Sequence, residues 1–167
     1  MLIQAFRTFW QRSLLIFCLA SIAWGAVSLP AYAKVDPYIR NYLQVTDPVP
    51  VVLNDRGETR SFSAENLIEG KKLFELHCAS CHVGGSTLPN PAVPLSLAAL
   101  KQATPPRDTV EQLIQFMRQP MTYDGSEDSL LCREVPESWL SQSEVENLSG
   151  FILRAAEKAK GWGSTNF

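Results

Sequence analysis

The pentapeptide CASCH at positions 78–82 constrains this chain more than any other stretch of its 167 residues. Two cysteines separated by two residues lie on the same face of a helical turn, where both thiols can reach one flat ligand. The histidine that follows is then held beside that ligand. The pattern C-x-x-C-H is typical of covalent c-type haem attachment. It predicts one haem c bound through thioethers to Cys78 and Cys81, with His82 as the proximal ligand of the iron.

Three other interpretations of this motif stay open from the residues alone. A thioredoxin-like redox pair needs a βαβ context, and the sequence shows none. A structural zinc ion could be bound by Cys78, Cys81, His82 and Cys132, although an adjacent cysteine and histidine are awkward ligands for one tetrahedral ion. A plain disulfide would leave His82 without a role. The complete pentapeptide is more specific than the cysteine pair, and it favours haem.

The first 33 residues have the order of a secretory signal peptide. Two arginines precede an apolar run, and the run is followed by a small-x-small cleavage signal that ends at Ala33. An uncleaved membrane anchor would need about 20 apolar residues, and this run is shorter. We therefore expect 1–33 to be a signal peptide cleaved after Ala33, and 34–167 to form one cytochrome c domain.

The exported chain would be mildly acidic and would keep an odd number of cysteines. Cleavage leaves 13 basic and 17 acidic residues, a formal charge of −4. This balance, without a basic stripe, argues against nucleic acid as a partner. Cys18 leaves with the leader, so Cys132 is the one thiol outside the motif, and an odd thiol indicates a separate role.

Periodicity and capping signals predict a mainly α fold with a small N-terminal β-hairpin. Two short β-prone runs within 49–62 flank an Asn-Asp-Arg-Gly turn, which is typical of a hairpin. A helix capped by Ser63 should run into Cys78. Asp108 and Glu111 have the spacing of a capping box for a helix over 109–118.

A last helix is predicted over 145–160. Ser141 and Glu144 have capping-box spacing before it, and apolar residues follow at helical intervals. We expect this helix to cross the one that ends at Cys78, with Gly70 permitting close approach and Phe74 filling the contact. The segment 121–140 between the helices has no periodicity and is predicted to be irregular.

Several longer stretches are similar to one known family. They are EGKKLFELHCASCHVGG, ATPPRDTVEQLIQFMRQP, TYDG and VPVVLNDRGETRSF. These stretches resemble cytochrome c-550, the extrinsic haem subunit of photosystem II in cyanobacterial thylakoids. The resemblance covers 49–125 well and the last helix loosely. It implies a class I-like mono-haem cytochrome c fold, a lumenal location and a low reduction potential.

The chain departs from that family where the family carries its second haem ligand, a histidine in a segment of the form E-V-H-P-S. Here Val135 is followed directly by Pro136, and His77 and His82 are the only histidines. His77 lies on the proximal helix and cannot reach the opposite face of the same haem, so we interpret it as a surface or packing residue. The chain is thus most similar to a divergent, cytochrome c-550-like paralogue.

The missing histidine leaves the distal ligand of the iron to another residue. Cys132 lies close to its position in the sequence, and a thiolate suits haem iron, so Cys132 is the first candidate. Met121 is the main competitor, and an open site or a lysine stays open. Met117 has core spacing and is interpreted as a packing residue. Thiolate donation would favour ferric iron and a low reduction potential.

These residues and the resemblance predict a low-potential mono-haem cytochrome of the thylakoid lumen, either a one-electron carrier or a photosystem II-related redox protein, and not an enzyme. Two alternatives are a structural extrinsic subunit of photosystem II and a haem-based sensor or peroxidase-like protein with a labile sixth ligand. The expected partner is the lumenal surface of photosystem II or a small redox protein. Contact with the membrane would be peripheral at most.

Overall fold

The computed structural model describes residues 36–87 and 93–164, so the predicted signal peptide and its cleavage site lie outside the described residues. The elements are α1 Pro37–Asn41, β1 Val49–Val52, β2 Thr59–Phe62, α2 Ala64–His77, α3 Leu97–Gln102, α4 Val110–Arg118 and α5 Gln142–Lys158. A mainly helical fold with one small antiparallel sheet confirms the predicted fold class. Within the described ranges, no helix is long and apolar enough to cross a membrane.

The predicted hairpin is formed by β1 and β2, which pair antiparallel with Val49 opposite Phe62. Gly57 in the connecting turn has φ +78°, a left-handed conformation that glycine adopts without steric cost. The Phe62 ring is buried against α5, where a Cβ added to Gly150 would lie 2.5 Å from it. The hairpin therefore closes one side of the core against α5.

Helices α2 and α5 cross at a glycine, as the sequence predicted. A Cβ on Gly70 would lie 2.1 Å from the carbonyl oxygen of Asn147 and 2.8 Å from the Cβ of Phe151. The rings of Phe74 and Phe151 fill the contact, with centroids 5.6 Å apart. Because Cys78 directly follows α2, this crossing fixes the position at which the CASCH pentapeptide enters its site.

The start of α4 corrects one sequence prediction. Thr109 caps this helix, because its hydroxyl accepts a hydrogen bond from the Gln112 backbone N–H at 3.3 Å. The predicted capping box of Asp108 and Glu111 was therefore wrong by one residue. Threonine and aspartate both cap helices, and spacing alone does not separate adjacent candidates. Serines cap two other helices as predicted, at Ser63 and Ser141.

The residues after α5 return to the loop that follows the pentapeptide. The backbone N–H of Gly163 donates to the carbonyl oxygen of Gly84 at 2.9 Å, and the Trp162 indole N–H donates to that of Leu95 at 2.9 Å. A Cβ on Gly85 would lie 2.5 Å from the Trp162 ring, so the indole packs directly on the backbone there. The end of the chain thus helps to hold the loop that lines the candidate site.

Candidate functional site

A cavity of about 360 Å³ lies between the loop after α2, the helices α3 and α4, and the irregular segment 121–132. Its walls are largely apolar, with contributions from Val93, Pro94, Leu95, Leu100, Leu113 and Phe116. A concave apolar site of this size is typical of a binding site for a small organic group.

The pentapeptide forms a helical turn beside this cavity. The backbone N–H of Cys78 donates to the carbonyl oxygen of Phe74 at 2.8 Å. The N–H groups of Cys81 and His82 then donate to the carbonyl oxygen of Cys78 at 3.1 and 2.9 Å. Cys81 and His82 line the cavity. Cys78 and Cys81 therefore lie three residues apart on one hydrogen-bonded turn, the spacing that places two side chains on one face.

The three cysteines of the described chain lie near one another and are free thiols. Burial raises the pKa of the Cys78 thiol to about 12, and the neighbouring Cys132 and Cys81 act in the same direction. Burial also raises the pKa of the Cys132 thiol, whereas the positive charge of Arg107 acts to lower that pKa. Cys132 lines the same cavity as Cys81 and His82, so the structure brings three of the four predicted site residues together there, whereas Cys78 is not among the lining residues.

The imidazole of His82 is held by Thr87, a residue that no sequence motif singled out. The His82 Nδ1 lies 3.0 Å from the Thr87 hydroxyl, and that hydroxyl donates its single proton to the Val93 carbonyl oxygen. A neutral imidazole whose Nδ1–H donates to the Thr87 oxygen satisfies both contacts, and its Nε2 is then unprotonated. Burial lowers the pKa of His82, although the Ser86 backbone opposes this. A neutral imidazole with a free Nε2 is a form that binds metals.

The segment 121–140 contains no helix or strand, as predicted, and residues within 121–132 form another wall of the cavity. Its path is set by hydrogen bonds between loop residues. The Ser129 N–H donates to the Pro120 carbonyl oxygen at 2.9 Å, and the Ser129 hydroxyl accepts from the Cys132 N–H at 3.1 Å. Ser129 thus fixes the backbone at the point where the Cys132 side chain enters the cavity wall.

The other candidate ligands are placed differently. Met121 lines the cavity beside Cys132, whereas Met117 is buried in the core, as predicted for a packing residue. The His77 ring packs edge-on against Trp139 with centroids 5.0 Å apart, which agrees with a packing role. Among the described residues, no lysine lines the cavity.

Arg107 is a second site residue that the sequence did not reveal. It lines the cavity and is buried, and its guanidinium donates to the carbonyl oxygens of Met121 and Thr122 at 3.2 and 2.6 Å. Its Cζ lies 3.9 Å from the centroid of the Phe116 ring. In the sequence, Arg107 stood out only as part of the stretch TPPRD that resembles the known family. Nothing in the local pattern indicates that an arginine next to the start of a helix is buried.

The donor set fits a haem better than the other groups considered. Two thiols on one turn, a neutral imidazole and apolar walls match a flat organic group that carries a metal. In the described part of the chain, no three histidine, cysteine, aspartate or glutamate side chains form a group able to hold a metal ion. The sheet there is a two-stranded antiparallel hairpin, so the context of a thioredoxin-like pair is missing.

Comparison with known proteins decides the family. A family model described as the cytochrome c-550 domain matches residues 41–167. The chain belongs to the cytochrome c-550 family. This confirms the predicted family and its class I-like cytochrome c fold.

Individual relatives and a solved structure agree with this family assignment. A cytochrome c-550-like protein of Thermosynechococcus vestitus is 54% identical over 166 residues, covering 95% of this chain and 94% of the relative. Photosystem II extrinsic protein V of Gloeobacter violaceus is 48% identical over 134 residues, covering 80% and 72%. A crystal structure of the PsbV2 cytochrome from Thermosynechococcus elongatus matches with a TM-score of 0.76 and 58% identity, covering 78% and 99%. The protein is thus a c-550-like haem cytochrome related to photosystem II extrinsic protein V.

Proposed function

We propose that the protein is a low-potential, mono-haem c-type cytochrome that transfers single electrons and has no enzymatic activity. The observation that carries the proposal is the largely apolar cavity in which Cys81, His82 and Cys132 meet. A haem bound there would supply one-electron chemistry at its iron. The protein residues would bind and orient it, and the apolar walls would limit access of water.

Each of the four site residues has a distinct proposed role. Cys78 and Cys81 attach one haem c covalently, for which their position on one helical turn is suited. His82 binds the iron through Nε2, because its Nδ1 is engaged by Thr87. Cys132 is the distal ligand, since it is the remaining thiol and lines the same cavity.

The location and partners are proposed from the leader and from the relatives. A signal peptide cleaved after Ala33 would export the chain, and we propose the thylakoid lumen as its destination. The relationship to photosystem II extrinsic protein V supports this location. The same relationship supports a second candidate function, that of a structural subunit bound to the lumenal surface of photosystem II. If the protein is instead a free electron carrier, its partner would be a small redox protein.

The proposal is tested on the purified, oxidised protein by haem extraction and electron paramagnetic resonance. Acidic acetone should fail to extract the haem, because thioethers hold it. The resonance spectrum should be low-spin ferric with the narrow spread of g values typical of thiolate ligation. Stoichiometric zinc without a Soret band would refute haem binding. A wide, bis-imidazole-like spread would refute ligation by Cys132.

A further inference from the structure

Arg107 is a buried cation that has no carboxylate partner among the described residues. It is only 8% exposed, and the ion pairs of the described chain all join other residues. Arg154, equally buried at 8% exposure, pairs with Glu157 at 3.0 Å. A buried charge is normally paired, because removing it from water is costly. Arg107 therefore carries an uncompensated positive charge into the wall of the cavity.

The groups that hold Arg107 are neutral. One guanidinium nitrogen, Nη2, donates to the backbone carbonyl oxygens of Met121 and Thr122, and Phe116 presents its ring face. The Nε atom is buried and has no acceptor within the described chain. Carbonyl oxygens and a ring face stabilise a cation but do not cancel its charge. The side chain is thus fixed in place while its charge acts on the cavity.

The positive charge of Arg107 interacts electrostatically with Cys132, the proposed distal ligand. Burial lowers the pKa of Arg107, whereas Cys132 and Tyr123 act in the opposite direction, so both lie within electrostatic range of the guanidinium. An arginine side chain stays protonated in proteins, so this charge is permanent.

We propose that Arg107 is a positioning residue that raises the reduction potential of the haem site and anchors its distal wall. The inference rests on the proposed function, a haem in this cavity. One electron taken from an external reductant makes the site more negative by one charge. A fixed positive charge in a poorly solvated wall stabilises that reduced state relative to the oxidised one. Arg107 therefore moderates the low potential that thiolate ligation imposes.

The experiment is a spectroelectrochemical titration, near neutral pH, of the wild-type holoprotein and four variants. Arg107→Met and Arg107→Gln remove the charge, and Arg107→Lys keeps it. Arg107→Gln also keeps a donor for the two carbonyl oxygens, so it serves if Arg107→Met fails to fold. Arg118→Met is the matched control, because Arg118 donates to the carbonyl oxygens of Val135 and Leu140 at 2.6 and 3.0 Å without lining the cavity.

The expected result is a negative shift of the midpoint potential in Arg107→Met and Arg107→Gln. Arg107→Lys and Arg118→Met should stay close to the wild-type potential. The inference is overturned if the midpoint potential is unchanged in both Arg107→Met and Arg107→Gln. It is also overturned if Arg107→Lys or Arg118→Met shifts the midpoint potential as much as these two variants do, since the effect would then come from a loosened segment and not from the charge. Absence of covalent haem from the wild-type protein would instead refute the proposed function, and this inference with it.

Discussion

At the scale of single residues, the Thr87 hydroxyl lies against Nδ1 of His82, which in the proposed site would leave Nε2 for the iron. Thr87→Val keeps the side-chain shape but removes the acceptor for the Nδ1–H. We predict that acid then displaces His82 from the iron at a higher pH than in the wild type. Loss of such outer partners typically lowers metal affinity by about 10- to 100-fold. An optical pH titration of the ferric protein measures the change.

Thr87→Ser is the control for this prediction, because it keeps the hydroxyl and should titrate like the wild type. Superimposable titrations of Thr87→Val and the wild type would show that the hydrogen bond does not orient the ligand.

The proposed distal ligand gives a second prediction at this scale. Cys132 lines the cavity with its backbone N–H bound by Ser129, so Cys132→Ser would replace the proposed ligand atom without moving the backbone that carries it. A hydroxyl is a much poorer ligand for ferric iron than a thiolate. We predict a shift of the ferric spectrum towards high spin, with the covalent haem retained. If the low-spin spectrum is unchanged, Cys132 is not the ligand, and Met121 becomes the first candidate.

The site residues differ in how far the sequence could reveal them. Cys78, Cys81 and His82 form one contiguous motif whose spacing has a direct chemical reason. Thr87 and Arg107 gain their roles only from the folded loops around them. Thr87 meets His82 because the chain turns back after the motif, and Arg107 meets backbone carbonyl oxygens more than ten residues away. No local pattern encodes either contact.

At the scale of elements, the crossing of α2 and α5 depends on Gly70. A methyl group there would lie 2.1 Å from the carbonyl oxygen of Asn147, and backbone cannot move aside as a flexible side chain can. We predict that Gly70→Ala lowers the free energy of unfolding by about 1–3 kcal/mol or more, the usual cost of overpacking. Lys72→Ala, on the exposed face of the same helix, should stay within about 0.5 kcal/mol of the wild type.

Denaturant unfolding of the holoproteins measures both values. Equal stabilities of Gly70→Ala and Lys72→Ala would mean that the two helices can separate at little cost.

The contact between α1 and α2 is predicted to depend on pH. Asp36 accepts hydrogen bonds from the Tyr38 N–H at 2.7 Å and from the Lys71 ammonium at 3.2 Å. Burial by itself would raise the pKa of Asp36, but these hydrogen bonds and the charge of Lys71 prevail and lower it. A carboxyl with a lowered pKa stabilises the fold above its unfolded-state pKa, and this contribution is lost as the pH falls through the folded-state value.

Asp36→Asn keeps a cap for α1 but removes the charge. It should lower the free energy of unfolding at neutral pH by about 0–1 kcal/mol, as for other partly exposed ion pairs. The difference from the wild type should shrink below about pH 4, where the carboxyl becomes protonated. Urea midpoints over a pH series test this, with Asp55→Asn in the exposed turn as the control. A difference that persists unchanged in acid would contradict the ionic explanation.

The elements themselves were predictable where local signals are strong. Serine caps and helical periodicity located α2 and α5, and the turn sequence located the hairpin. Adjacent capping residues displaced the predicted start of α4 by one position. The path of 121–140 could not be predicted, because contacts with Arg107, Arg118 and Met117 set it rather than any periodicity.

At the scale of the whole molecule, an aromatic cluster connects the core to the cavity. Trp162 packs on Phe74 and Phe151, with ring centroids 5.2 and 5.8 Å apart, and on the backbone of Gly85 in the cavity loop. The helix crossing, the end of the chain and the loop after the pentapeptide therefore meet in one packed region. Displacing any of them would disturb the loop that lines the cavity.

The relation of the whole molecule to photosystem II gives the last prediction. The chain keeps the CASCH pentapeptide, but its segment 126–140 contains no histidine, where the resemblance to cytochrome c-550 implies one. A binding surface shared with the photosystem subunit would have to survive this change, because association depends on a few well-packed contacts. We predict that the protein copurifies with photosystem II weakly or at less than one copy per complex. Quantitative haem staining and mass spectrometry of preparations washed at low and high salt measure this stoichiometry, with photosystem II extrinsic protein V of the same cells as the reference. One copy per photosystem, removed only by the high-salt wash, would favour a structural subunit over a free electron carrier.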